Sequence, residues 1–422
     1  MIYDVIVIGG GPAGMGAARS AYEHGAKSVL LIDRGLAPGG VLLQCHHDGF
    51  GERQYGESLT GPAYAQRAYE KIKDVPEITI WLDTVVLAVT KEKQITAVSP
   101  DKGVQTVEGK SIIFATGCQE RSRGAIRLPG DRLAGIITAG VAQRLVNCFG
   151  FLPGKQIVIL GSGDIGLVTA KALSKEGCTV KAVLEAFPYC SGSEKNINKC
   201  LKENNIPLYI SHTITDIQGD GRVEKITVSK LDDKMQPIRG TEFEIECDTV
   251  VLSVGMIPEN SLLATLPLAL QPVAGGPVVD QNRETQLAGF FAAGDVVHVH
   301  ETVDFMAQEA EIAGRAAAEF AIKGKDKKEY KEIKVKTLAG IRDAVPEVLR
   351  LPAEGSDVKF FLWFTQPAEN TCLEIKNGSE LLYSEKLAKV NPGEMLMLNV
   401  AAKYLHNLNA EITVGLQEDK QS

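Results

Sequence analysis

The sequence predicts an α/β chain in which one dinucleotide-binding domain of βαβ type is inserted into another, with a small, mainly β C-terminal domain behind them. Three observations predict it. The first is a repeat. Tyr3-Asp4-Val5-Ile6-Val7-Ile8-Gly9-Gly10-Gly11-Pro12-Ala13-Gly14, closed by Asp33 after Val29-Leu30-Leu31-Ile32, returns as Gln156-Ile157-Val158-Ile159-Leu160-Gly161-Ser162-Gly163-Asp164-Ile165-Gly166, closed by Glu185. The second is a shared ending: an apolar strand runs into Ala115-Thr116-Gly117 in one half and into Ser253-Val254-Gly255 in the other. The third is a change of pattern to short strands beyond a charged linker near residue 325.

Each copy of the repeat is an apolar strand entering G-x-G-x-x-G at the mouth of a helix, then a second strand ending in an acid 19 residues after the last glycine. The first glycine makes the tight turn, the second lets backbone approach a pyrophosphate, and the third lets helix pack on strand. The pyrophosphate meets unpaired N–H groups at the positive helix end. One chain therefore carries two dinucleotide sites on two Rossmann-like domains. The first domain is expected over 1–122 and again over 254–328, with the second inserted at 123–253.

The return to the first domain is read at Gly289-Phe290-Phe291-Ala292-Ala293-Gly294-Asp295-Val296, a buried strand whose Gly-Asp approaches a ligand. A helix is expected from about Asp304 to Ile322, with Phe305, Ala310, Ala313, Ala317 and Phe320 at helical spacing and Asp304 as N-cap. The basic run Lys323 to Lys328 reads as a solvated linker. From 335 to 422 the chain reads as β: Val358 to Phe364 is a strand, Cys372 to Tyr383 is a hairpin on an Asn377-Gly378 type I′ turn, and Pro392-Gly393 precedes Met395 to Val400. No catalytic pattern lies there, so it is expected to be an interface module for homo- or hetero-oligomers.

A 422-residue chain with 44% hydrophobic and 23% charged residues has ample material for buried cores. Its net charge of −8 argues against nucleic acid as a partner. No apolar run approaches the ~20 residues that span a bilayer, and Met1-Ile-Tyr-Asp lacks the basic start of a signal peptide. Eight cysteines without a regular framework suit a reducing cytoplasm.

Taken together, these motifs resemble the FAD-dependent pyridine nucleotide-disulfide oxidoreductase superfamily. Gly39-Gly40 through Gln44-Cys45-His46-His47 to Gly51, Gly163-Asp164-Ile165-Gly166 and His298-Val299-His300 further resemble a bacterial branch similar to the α subunits of amino-acid and opine dehydrogenases. Members of that branch often accompany a flavoprotein similar to glycerol-3-phosphate dehydrogenase. The resemblance implies FAD at the first site, held by Gly9, Gly11, Pro12, Ala13, Gly14, Asp33, Arg34, Gly40, Thr116, Gly117, Gly294 and Asp295, with the helix at Asp304 pointing at the flavin. It implies a nicotinamide nucleotide at Gly161, Gly163, Asp164, Ile165, Gly166, Glu185 and Gly255. Glu185 stands where a ribose 2′-OH is expected and Ala186-Phe187-Pro188 offers no Arg for a 2′-phosphate, so NAD(H) is favoured over NADP(H).

Cysteine spacing sets this chain apart from the disulfide reductases. The position five after Cys45 is Phe50, and no C-x-x-C occurs. Cys45 and His47 remain candidate catalytic residues: a thiol beside His46 and His47 reads either as a thiolate of depressed pKa or as a small buried hydrophobe, and His47 as a proton donor or a structural histidine. Cys45, His47, His298 and His300 match no standard metal spacing, and no metal is expected. Cys118 and Cys247 read as core residues.

Three functions follow. The favoured one exchanges a hydride between NAD(H) and FAD and passes electrons to or from a small-molecule or flavoprotein partner. The alternatives are an electron-transfer subunit without substrate chemistry of its own and a single-cysteine NADH oxidase or peroxidase cycling Cys45.

Overall fold

The computed structural model describes residues 1–324, 330–351, 357–405, 408 and 411–418. Most of the basic linker, residues 325–328, lies outside them. The chain divides into two units, Met1–Leu43 with Asp48–Cys118 and Pro258–Ser422, and Gln44–His47 with Gln119–Ile257. The crossings fall at 118/119 and 257/258, a few residues outside the expected 122/123 and 253/254. Two assignments differ from expectation. The segment Gln44–His47 belongs to the second unit, and the C-terminal β region is one unit with the first domain.

In the first unit five parallel strands lie in the order Ile78–Trp81, Val29–Ile32, Ile2–Ile8, Gly103–Phe114, Phe290–Ala292. The near end of Gly103–Phe114 continues antiparallel against Gln94–Ser99 and then Val85–Val89. The strands read as unbroken apolar runs because both faces are covered. Val5, Val7, Val29 and Leu31 pack under the helices Pro12–Glu23 and Val303–Lys323, while Ile6, Ile8, Leu30 and Ile32 pack on the opposite side with Ile95, Val279 and Val296. The two helices meet through small residues: a side chain at Gly314 would run into the Ala17 backbone.

The second unit repeats this plan. Its parallel order is Leu208–Ile210, Thr179–Glu185, Gln156–Leu160, Thr249–Leu252, Ile136–Thr138. Here the last position is filled by a strand that precedes the repeat in sequence, where the first unit uses one that follows it. One face carries Asp164–Lys175 and Ala139–Phe149, the other an antiparallel sheet of His212–Asp220, Arg222–Lys230 and Phe243–Glu246.

The C-terminal region forms a five-stranded sheet, ordered Val348–Leu351, Lys331–Thr337, Ile412–Glu418, Ala368–Asn377, Glu380–Val390, and a three-stranded one of Ile341–Val345, Val358–Phe364 and Leu396–Val400. Both share one apolar core around Phe360, Leu362, Leu373, Ile375 and Val414. The hairpin turn differs from expectation. Asn377 pairs with Glu380, so the loop is Gly378-Ser379, and of these two only Gly378 takes a positive φ, +61°. A type I′ turn needs a positive φ at both loop residues; the turn here places glycine first. The long helix also starts earlier than expected. Thr302 is its N-cap and accepts from Phe305 N at 3.4 Å, which puts Asp304 inside the first turn.

Candidate functional site

The first glycine turn draws the expected residues of the first unit to one helix end. Gly9 has φ +112°, and a side chain on it would collide with the Ala115 carbonyl; one on Gly14 would collide with the Gly9 carbonyl. Gly294, at φ +80°, packs its α-carbon against Ala13, and Gly40 lies against the α-carbon of Gly11. Thr116 Oγ1 donates to Glu259 O at 2.9 Å, and Glu259 N donates to Gly117 O at 2.9 Å, closing the ends of the two central strands. Asp33 accepts from Gly10 N and, at 2.6 Å, from Gly35 N, and stays partly exposed beside the exposed Arg34. Asp295 Oδ1 accepts from His300 N at 2.9 Å. Asp304, 4% exposed, accepts from Arg53 N at 2.9 Å.

Gly11 is the informative residue. Its φ and ψ, −71° and −175°, suit any amino acid, and an added Cβ would meet nothing within 4 Å. Neither backbone strain nor packing within the chain calls for glycine there. It is an open cradle at the N-terminus of Pro12–Glu23, where N–H groups without intrahelical partners face outwards. The pyrophosphate of a dinucleotide fits that space and that charge.

The second unit reproduces this residue by residue. Gly161 has φ +104° and abuts the Ser253 carbonyl, Gly166 abuts the Gly161 carbonyl, and Gly163, with φ −62° and ψ 162°, again faces open space. Gly255 has φ +100° and its carbonyl accepts from Arg121 N at 3.0 Å. The acid is held differently. Glu185 is 4% exposed; its Oε2 accepts from Ser162 N at 3.1 Å, from Ser162 Oγ, and from Ser191 Oγ at 2.9 Å, while Oε1 accepts from Phe187 N at 3.0 Å. Asp164 Oδ1 accepts from Ser193 N and Oγ at 2.8 and 3.0 Å, and Ser191 N donates to Ser162 Oγ at 2.9 Å. Ile165 is exposed beside them. Ser162, Ser191 and Ser193 went unread in the sequence. Ser162 was visible inside the motif, but the return of residues 191–193 over the turn had no local signal.

Cys45 and His47 lie on the segment that packs with the helix Ala139–Phe149. Gln44 Nε2 donates to Gly140 O at 3.1 Å, Asn147 Nδ2 donates to Gln44 O at 2.7 Å, and Cys45 Sγ is 3.9 Å from Gln143 Oε1. Cys45 is buried, and burial pushes its thiol up to about 12, away from the depressed range in which a thiolate attacks. His47 is half-buried on the same turn. Among the described residues no cysteine forms a disulfide; Cys247 is buried in the core, whereas Cys118 is only half-buried, with Sγ 3.6 Å from Asp295 Oδ2. Among the described residues three ligand-type groups converge at His298, His300 and Glu309, within 4.8 Å of one another. Arg283 Nε lies 2.9 Å from Glu309 Oε1, so a guanidinium already stands on the shared carboxylate. Glu309 was legible as an anomaly, an acid on the apolar stripe between Phe305 and Ala313.

A family model described as pyridine nucleotide-disulphide oxidoreductase matches residues 3–321. A thioredoxin reductase of Listeria innocua is 30% identical over 301 residues, 70% of this chain and 86% of that protein. An opine oxidase subunit of Agrobacterium tumefaciens is 27% identical over 336 residues, 75% of this chain and 64% of that protein, so the chain spans under two thirds of that relative. Among solved structures, thioredoxin reductase of T. acidophilum superposes with a TM-score of 0.61 at 24% identity, covering 76% of this chain and 99% of that one.

Proposed function

The chain belongs to the pyridine nucleotide-disulphide oxidoreductase family, of FAD-dependent oxidoreductases that use a pyridine nucleotide, and from that premise we propose that it exchanges a hydride between NAD(H) at Gly161–Gly166 and FAD at Gly9–Gly14. Electrons then pass to or from a small-molecule substrate or a partner flavoprotein. The observation that carries this reading is the pair Gly11 and Gly163, two glycines that neither backbone strain nor packing accounts for, each at a helix N-terminus.

The flavin, when bound, supplies the two-electron chemistry; the protein positions it and tunes its surroundings. The chain's own residues divide the work as follows. The helix ends at Pro12 and Asp164 hold the pyrophosphates. Asp33 and Glu185 would receive hydroxyls of the adenosine riboses, and Asp295 those of the ribityl chain. The N-terminus of Val303–Lys323 contributes about half a positive charge, which favours negative charge on a neighbouring ring. NAD(H) is preferred to NADP(H) because Glu185 is followed by Ala186-Phe187-Pro188 without an arginine.

The buried Cys45 speaks against a peroxide-reducing thiol, and the spacing that leaves Phe50 five residues on speaks against a dithiol at that segment. A second reading has its own support: a relative named as one subunit of an opine oxidase favours an electron-transfer role within a larger assembly, with the C-terminal β region as the interface. Eight cysteines without a regular spacing favour a reducing cytoplasm. No helix among the described residues is long and apolar enough to cross a membrane.

Anaerobic titration of the yellow protein with NADH tests the reading. Bleaching by one equivalent of NADH per FAD is expected, weaker with NADPH, and abolished in Gly163→Val, which keeps its colour and still bleaches with dithionite. Equal bleaching of wild type and Gly163→Val removes the nucleotide from the second site.

A further inference from the structure

We propose that His300 is a positioning residue of the first site: it holds one oxygen of the Asp295 carboxylate, and the C-terminal β region, through Phe361 and Trp363, holds His300. The inference rests on the reading of that site as the FAD site, and goes beyond it in giving the C-terminal region a part in cofactor binding.

The geometry begins at Asp295. Its Oδ1 takes the backbone N–H of His300 at 2.9 Å and faces the ring Nδ1 at 3.2 Å, leaving Oδ2 turned towards Cys118 Sγ, 3.6 Å away. On the other side of the ring, Nε2 faces Glu309 Oε2 at 3.3 Å, within ion-pair distance though outside hydrogen-bond geometry. A neutral imidazole has one donor and one acceptor nitrogen. With a carboxylate facing each nitrogen, the doubly protonated ring is the form these surroundings favour. Glu309 is held in turn by Gly294 N at 2.9 Å, Arg283 Nε at 2.9 Å and His298 Nε2 at 3.3 Å. Asp295 and Glu309 against Arg283 and His300 make a neutral set, which is the condition for burying charge. Burial opposes the charge on His300, but Glu309 and Asp295 outweigh it and lift its pKa to about 9. Burial and the neighbouring His300 push His298 down, so it is the neutral member.

The C-terminal region encloses this set. Phe361 sets its ring 5.8 and 5.9 Å from those of His298 and His300 and lies under Arg283 at 5.3 Å. Trp363 Nε1 donates to the carbonyl of Val299, between the two histidines, at 3.1 Å, and Met395 N donates to Glu301 Oε2 at 2.7 Å. The loop that presents Asp295 is thus pinned by a region some sixty residues away. A divalent ion at His298, His300 and Glu309 is the competing use of these groups, and Arg283 on Glu309 opposes it.

The test is FAD affinity and FAD dissociation rate from pH 7 to 10, measured on whole holoprotein and on reconstituted apoprotein. Both are read by flavin fluorescence, beside a thermal melt. The groups that face His300 are Asp295, Glu309 and His298, with Arg283 behind Glu309 and Asp343 acting on His298; Cys118 faces Asp295. Glu309, whose carboxyl its histidine neighbours hold well below the usual range, stays charged across this range, and His298, pushed down by burial and by His300, stays neutral. Wild type is expected to release FAD faster as pH passes about 9, Cys118→Ser to keep that step, and His300→Gln to lose it and bind FAD about 10- to 100-fold more weakly at pH 7, the worth of a charged hydrogen bond. Trp363→Phe, which removes the Val299 hydrogen bond and trims the ring packed with Phe305, Phe361 and Arg342, should weaken binding about threefold or more.

A folded His300→Gln protein with wild-type affinity and the wild-type pH step overturns the proposal. If His300→Gln does not fold, a Trp363→Phe protein with unchanged affinity does so instead. Wild type that binds no FAD overturns the underlying reading and this inference together, whereas yellow wild type with unmoved variants overturns the inference alone.

Discussion

The two glycine turns are copies in backbone and opposites in what surrounds their acids. At the first, the middle position is Gly10 and Asp33 is held by backbone amides alone, with its carboxylate still partly exposed. At the second, the middle position is Ser162, and Glu185 is buried with donors from Ser162, Ser191 and Phe187 on its two oxygens. A ribose reaching Asp33 finds open lone pairs; one reaching Glu185 has to take the place of a serine hydroxyl. Exchanging one hydrogen bond for another gains little net free energy. On the proposed assignment of FAD to the first turn and NAD(H) to the second, the first arrangement suits a resident cofactor and the second a nucleotide that comes and goes.

The largest expected effect separates the glycines of each turn by their jobs. Gly9→Ala and Gly161→Ala put a Cβ into a carbonyl at a positive φ and should cost roughly 3 kcal/mol or more, visible as poorly folded protein or a strongly lowered melting temperature. Gly11→Val should melt near wild type yet purify colourless. Melting near wild type for both classes would dissolve the distinction between turn-making and ligand-facing glycines.

A second contrast is buried charge. The histidines of the second unit, His46, His47 and His212, are all at least partly exposed, whereas His300 is buried and its pKa raised to about 9. A raised histidine pKa stabilises the fold fully below the unfolded value of about 6.5 and loses that contribution as pH climbs through the folded value. At about 1.4 kcal/mol per unit, the first unit should lose on the order of 3 kcal/mol between pH 6.5 and 9 while the second does not. Hydrogen exchange at pH 7 and 9, resolved by peptide, reads this. Equal loss of protection in 156–185 and 290–323 would refute it.

Smaller effects test the second acid directly. Ser162→Gly makes the second turn like the first and removes two hydrogen bonds of its hydroxyl, so a loss of about 1–2 kcal/mol is expected by urea denaturation. Ser191→Ala should cost less than about 1 kcal/mol and lower the apparent Kd for NADH, since one competitor for Glu185 is gone. A raised Kd would show that the hydroxyl assists the nucleotide rather than standing in for it.

Both turns were legible in the sequence because everything that makes them is local: strand, three glycines, helix start, and an acid at fixed spacing. Both strand endings, Ala115-Thr116-Gly117 and Ser253-Val254-Gly255, were legible for the same reason. The hairpin and the helix start were found but misplaced by one or two residues, Gly378 leading the turn in place of Asn377 and Thr302 capping in place of Asp304. Neighbouring turn and cap formers compete on nearly equal terms until pairing register settles them.

The sequence by itself determined the two glycine turns, the repeat of one plan in two units and the β character of the C-terminal region, because periodicity and glycine geometry act over a few residues. Only the tertiary structure decided that Gln44–His47 packs with Ala139–Phe149, that Glu185 is closed over by Ser191, and that Arg283, Asp295, His298, His300 and Glu309 form one neutral cluster beside Phe361. Those partners lie far apart along the chain, and packing alone brings them together. A buried charge has to find its counter-charge wherever the fold places it.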